Sequence, residues 1–143
     1  LGIFLLAIII PPPLTAIKQS FYIYHNFPFV SQVAFMQMET IGLAKENIAE
    51  LWIDPYDYNE QFREAVLLLA DRGMKPYIYN AQLCILPEDI RCYAQQSISD
   101  WKDIYLPECE GCTLRGQCAG FFASNREMHS QYIKKIEECM SCD

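Results

Sequence analysis

The 143 residues with a formal net charge of -7 amount to one ordinary domain. They are 52% hydrophobic and 20% charged, which excludes global disorder, and they are too few for a complete barrel enzyme of about 250 residues. Acidic residues outnumber basic ones 18 to 11 and the densest basic cluster is the pair Lys134-Lys135, a solvated helix face, so a phosphate-gripping surface is excluded.

The chain opens LGIFLLAIII, ten uncharged residues closed by three prolines at 11–13. This run is shorter than the roughly 20 residues of a membrane span and lacks the basic leader of a signal peptide. It reads as a buried strand entered midway, as in a piece of a longer protein, with a truncated signal or membrane anchor as the competing reading. Leu14, Ile17, Phe21 and Tyr24 then recur at three- and four-residue steps, predicting a helix that ends near Asn26 before Phe27-Pro28. VSQVAFMQM at 30–38 predicts a strand. The loop Glu39-Thr40-Ile41-Gly42-Leu43-Ala44 follows, readable either as part of a pocket or as a glycine turn leading into a helix.

Asp54-Pro55 starts a helix, with Asp54 able to cap and Pro55 suited to the first position. Tyr58, Phe62, Val66 and Leu69 form its apolar stripe, and Gly73 stops it. KPYIYN at 75–80 predicts the next strand. Strand, helix, strand, helix, strand with short connections implies parallel pairing, so residues 1–80 are expected to form an α/β layer, part of a barrel or open sheet.

Beyond residue 80 the periodicity fades. Pro87-Glu88-Asp89 is expected to open a short helix. Ser124 and Glu127 have capping-box spacing, and Met128, Tyr132, Ile133 and Ile136 predict a last helix ending near Cys139. The stretch between is long for an irregular span, and a metal centre would supply the missing order.

Seven cysteines, at 84, 92, 109, 112, 118, 139 and 142, are an odd number that fits a disulfide framework poorly and reduced, cytoplasmic metal-binding thiols better. Cys109 and Cys112 form a Cys-x2-Cys knuckle, with Gly111 allowing the backbone to turn, and Cys118 follows five residues later. A fourth ligand is needed for a tetrahedral zinc or a four-iron cluster. Cys84, just past a strand end, leads, with Cys139 and Cys142 in reserve. Cys92 reads as a buried small apolar residue. His25 and His129, on predicted helices, read as surface or core histidines. Trp101 reads as packing.

LWIDPYDY at 51–58, IYNAQLCIL at 78–86 and QSISDWKDIYLPECEGCTLRGQCAGFFAS at 96–124 resemble the C-terminal half of radical SAM peptide maturases, in particular the C-type maturases of His-Xaa-Ser systems. The resemblance spans about residues 14–125. The Cys-x2-Cys-x5-Cys spacing is shared with SPASM and twitch auxiliary-cluster regions.

The resemblance implies that the α/β layer over residues 1–80 is the second half of a partial TIM barrel and that 81–125 is an auxiliary-cluster region, while residues 1–13 and the expected helix and tail over 126–143 do not look like the family. It implies an auxiliary [4Fe-4S] cluster on Cys84, Cys109, Cys112 and Cys118. Phe122 stands where a SPASM domain often has a further cysteine, favouring a single-cluster, twitch-like region. The implied substrate is a small repeat precursor peptide, with a second maturase as a further partner and neither nucleic acid nor membrane. No trio of cysteines here has the Cys-x3-Cys-x2-Cys spacing that holds the catalytic cluster. S-adenosylmethionine and a second [4Fe-4S] cluster would therefore belong to a full-length parent enzyme, and this chain alone is expected to be inactive. A structural zinc module serving protein interaction is the alternative.

Overall fold

A computed structural model describes residues 5–9, 14–96 and 104–137. Strands β1 (Leu5–Ile9), β2 (Gln32–Met36), β3 (Lys75–Tyr79) and the two-residue β4 (Ala94–Gln95) form one sheet in the order β1-β2-β3-β4, every neighbouring pair parallel. Helix α1 (Leu14–Asn26) links β1 to β2, and α4 (Asn59–Asp71) leads into β3. Chain order and spatial order coincide, so right-handed crossovers put both helices on the same face, where α1 packs against α4.

On β3 the burial follows the two-residue period, whereas on β2 Val33, Ala34 and Phe35 are all buried. Val33, Phe35, Pro76 and Ile78 are buried, whereas Tyr77 and Tyr79 on the opposite face are only partly covered. From α4 the buried face is Phe62, Ala65, Val66 and Leu69, with the Phe62 ring set edge-on to Phe35 at 5.2 Å. Asp54 caps as expected: its Oδ1 accepts from Tyr56 N–H at 3.0 Å, and a 3-10 turn over Pro55–Tyr58 runs straight into α4. Gly73, at φ 77°, ends the helix in a Schellman arrangement, in which Met74 N–H reaches Leu69 O and Gly73 N–H reaches Ala70 O, each at 3.0 Å.

Helix α1 occupies the expected residues, and Ile17 and Tyr24 of the expected stripe pack partly buried against the core, but its most buried positions lie beside that stripe. Ala16, Ser20 and Ile23 are buried, while Phe21 is 44% exposed. The 39–44 loop takes both readings: Gly42, at φ 53°, opens the single-turn helix α2 (Leu43–Glu46), followed by α3 (Ile48–Leu51), and Glu39, Ile41, Leu43 and Ala44 line a cavity.

The same hydrophobic cluster that holds Phe35 and Leu69 continues through Ala81, Leu83, Leu86, Ile90 and Leu114, so one core crosses the change of texture at residue 80. Beyond it the described chain has 3-10 turns over Glu88–Tyr93, Pro107–Cys109, Arg115–Gln117 and Ala123–Asn125, and an isolated antiparallel bridge between Ile104 and Phe121.

The expected last helix is corrected: among the described residues, 126–137 contain none. Its backbone groups bond outward instead. Gln131 N–H donates to Asp54 Oδ2 at 2.9 Å, and Ile136 O accepts from Thr113 N–H at 2.9 Å. Tertiary partners here outweigh an amphipathic pattern. Trp101, Cys139 and Cys142 lie outside the described residues. No described helix is long and apolar enough to cross a membrane.

Candidate metal centre

Cys84, Cys109, Cys112 and Cys118 line the same small cavity of about 20 Å³. They come from two stretches of chain. Cys84 sits in the turn after β3, a position reached through Asn80, whose φ of 63° is a left-handed conformation that asparagine tolerates. The turn is held from the next segment: Arg91 Nε donates to Leu83 O at 2.9 Å and Leu86 O at 3.2 Å, and Arg91 Nη1 to Glu88 Oε1 at 3.2 Å.

The other three thiols come from one tight run. Gly111, at φ 74°, makes the bend between Cys109 and Cys112, and Cys112 N–H closes it onto Cys109 O at 3.2 Å. Cys118 follows the 115–117 turn. Tyr105 OH reaches the carbonyls of Arg115 and Cys118 at 3.0 and 3.3 Å, and the Arg115 guanidinium lies over the Tyr105 ring at 4.5 Å.

The rest of the lining is largely apolar, from Leu83, Leu114, Phe121 and Ile136, with Gln82, Tyr105, Arg115 and Lys134 completing it. Ile136 N–H points at Cys112 Sγ, 3.4 Å away. Burial pushes the Cys84 thiol above its ordinary pKa, reinforced by Cys118 and Cys109 and opposed by a backbone hydrogen bond at Lys134. Cys109 is raised as well, chiefly by burial, against a backbone hydrogen bond at Leu106.

None of the five described cysteines is in a disulfide. Four thiols facing one space suit a soft metal or an iron–sulfur cluster, which take thiolate ligands. The donor set therefore fits the group that sequence implies, although among the described residues no three Cys, His, Asp or Glu side chains already stand in ligating geometry around a single ion.

Cys92 lies apart from this cavity. It is exposed rather than buried, its thiol 3.6 Å from Asp89 O within the 88–93 turn, so its reading as a core residue is corrected. A 3-10 helix turns its residues outward on a different period from the α-helix or strand that would have buried it.

A second and larger cavity, about 740 Å³, opens at the carboxyl ends of β2 and β3. Its walls include Met36, Met38, Trp52, Tyr58 and Asn80, and its rim carries the exposed Ile41, Leu43 and Leu51. His129 faces it, half-buried and edge-on to Phe121 at 5.7 Å, rather than lying on a helix; His25 is on α1 and exposed. Gln82 and Phe121 line both cavities.

Sequence reasoning did not find Arg91, Tyr105, Thr40 or Asn125. Thr40 is buried: its N–H donates to Asn125 Oδ1 at 3.1 Å, and its Oγ1 lies 2.7 Å from Ser124 O and 2.9 Å from Asn125 Oδ1. These partners are 84 and 85 positions apart, a separation at which no local pattern signals contact. Set against known protein families, curated proteins and solved structures, the chain has no match.

Proposed function

We propose that the chain is the C-terminal part of a radical SAM peptide maturase acting on a His-Xaa-Ser repeat peptide, with Cys84, Cys109, Cys112 and Cys118 holding an auxiliary [4Fe-4S] cluster. The observation that carries the metal centre is the shared cavity, on which one cysteine after β3 and three from the 109–118 run converge. The maturase assignment rests on the sequence resemblance. It is supported by the sheet, whose unreversed parallel order and one-sided helices suit a barrel segment. The partly covered Tyr77 and Tyr79 face suits the inside of such a barrel, since parallel sheets are ordinarily covered on both faces.

Such a cluster supplies one-electron chemistry when bound. The chain's own residues hold and tune its place. Cys84 is positioned by Arg91 and the other three by the Gly111 bend and Tyr105. The backbone at Lys134 and the Ile136 N–H would give hydrogen bonds to the sulfurs of Cys84 and Cys112, and the apolar lining limits contact with water. Reduced thiols of this kind belong in the cytoplasm. The large cavity at the strand ends is the place for the precursor peptide in this reading.

The same four thiols are also a complete zinc donor set, and the two readings separate by composition and colour. Anaerobic reconstitution with iron and sulfide should give a brown protein with about four irons per chain. Colourless protein with one zinc and no iron under those conditions would overturn the cluster. Cys84→Ala should abolish iron binding, whereas Cys139→Ala and Cys142→Ala should not. Reconstituted residues 1–143, given a strong reductant and S-adenosylmethionine, should form no 5′-deoxyadenosine.

A further inference from the structure

One segment, residues 124–136, runs past both cavities. At its start Asn125 bonds Thr40 as described, and its Nδ2 reaches Met38 O at 3.4 Å. Asn125, His129 and Ser130 then form part of the wall of the large cavity. Gln131 N–H is tied to Asp54, and the Tyr132 ring stacks on Tyr56 with centroids 4.0 Å apart. Only two residues later, Lys134 lines the cysteine cavity, followed by Ile136. Ile136 donates to Cys112 Sγ, and its carbonyl accepts from both Thr113 N–H and Thr113 Oγ1 at 2.9 and 2.8 Å.

We propose that residues 124–136 form a strap whose seating along the large cavity is coupled to metal occupancy of the four-cysteine site. The proposal rests on reading those cysteines as a metal centre. Residues 126–137 have neither helix nor strand among the described residues, so anchors outside the segment fix its course. The anchor at the cysteine end depends on what the sulfur is bonded to. A metal-bound sulfur carries more negative charge than a thiol, and an N–H bond to a charged acceptor is roughly twice as strong as one to a neutral acceptor. Loading therefore favours the seated strap over the released one, which is the differential interaction that a population shift requires. Only Ile133 separates Tyr132 from Lys134, so little slack lies between the two ends. The coupling is reciprocal: loosening the strap at Asn125 or Tyr132 weakens metal binding.

Amide hydrogen exchange on the full chain, with metal content measured on the same samples, tests this. Protein loaded anaerobically with iron and sulfide, or with Zn2+ alone, is compared with chelated protein. Loading should slow exchange over 126–132 at least tenfold and slow tryptic cleavage after Arg126 to the same degree. At saturating metal, Asn125→Ala should abolish the slowing over 126–132 while preserving it at 134–136. Tyr132→Ala, which removes a ring contact and no hydrogen bond, should do the same, and exchange in β2 and α4 reports whether either variant has lost its fold. Bound metal that slows 134–136 but leaves 126–132 unchanged in the parent chain overturns the strap and leaves the metal centre standing. If neither iron nor zinc binds, both fall.

Discussion

The two halves of the molecule are ordered by different means. From α1 through β3, regular ladders and one apolar core do the work, and the side chains at the centre, Phe35, Val66, Leu69 and Ile78, are fully buried. From 104 to 137 there are single turns, one isolated bridge and no helix longer than three residues among those described. This second region contributes Leu114 to the shared core and buries Ala119, Phe121 and Phe122, but with few ladders it relies more on individual bonds: Tyr105 to two carbonyls, Thr113 to Ile136, Asn125 to Thr40, and four thiols around one space. A region held by burial tolerates the loss of any one polar contact, whereas a region held by single contacts is exposed to the loss of each. Metal ligation fits the second kind, because it adds strong bonds without requiring apolar area.

The largest expected effect tests whether the layered half stands without the metal. Leu69→Ala opens a void in a fully buried site and should destabilise the protein by about 3 kcal/mol. Denaturant titration should find the same loss in chelated and metal-loaded protein. A loss confined to the loaded form would break the comparison.

The second test sits at the seam. Burial, and after it the charge of Asp54, push the Tyr58 phenol from 10.0 up to about 12. The folded state holds this proton more tightly than the unfolded state. The contribution is therefore intact below pH 10 and is lost as pH rises toward about 12, on the order of 2 kcal/mol in all. Tyr58→Phe should flatten that part of the alkaline unfolding curve. An unchanged slope would mean that the phenol ionises equally well in both states.

The smallest effect sharpens the contrast from the other side. Gly111→Ala meets no neighbour within 4 Å, but it must hold φ at +74°. The strain, about 1–2 kcal/mol, falls on the Cys109–Cys112 bend. Denaturant titration should show a loss of that size, and an unmoved midpoint in chelated protein would mean that the bend relaxes when the metal is removed.

These differences also decide what could be read from sequence. The α4 stripe, the Asp54-Pro55 start and the Gly73 stop were legible because each follows from local geometry, and all three stand in the fold. Cys84 was legible as a companion of the 109–118 run because strand ends gather functional residues. The buried face of α1 was legible only in part, since hydrophobicity ranks Phe21 above the Ala16 and Ser20 that are buried instead. The tail helix failed for a related reason. Its amphipathic period is present, but its backbone donors reach Asp54 and Cys112, which local sequence does not announce. Arg91 and the Thr40–Asn125 pair escaped notice because they act on main-chain groups or on residues far along the chain.

Phe121 and Gln82 are the common wall of the two cavities, and that makes their volumes interdependent. The Phe121 backbone is pinned on both sides, N–H to Ile104 O at 2.9 Å and carbonyl to Ile104 N–H at 3.3 Å. Gln82 is fastened by its Nε2 to Gly120 O at 2.8 Å. With its main chain held, Phe121 keeps the rotation of its ring, while Gln82 moves only by giving up its side-chain bond to Gly120. Any swing that enlarges the space beside the thiols takes room from the chamber at the strand ends, and the reverse swing returns it. A wall shared in this way makes the filling of either compartment a mechanical event in the other.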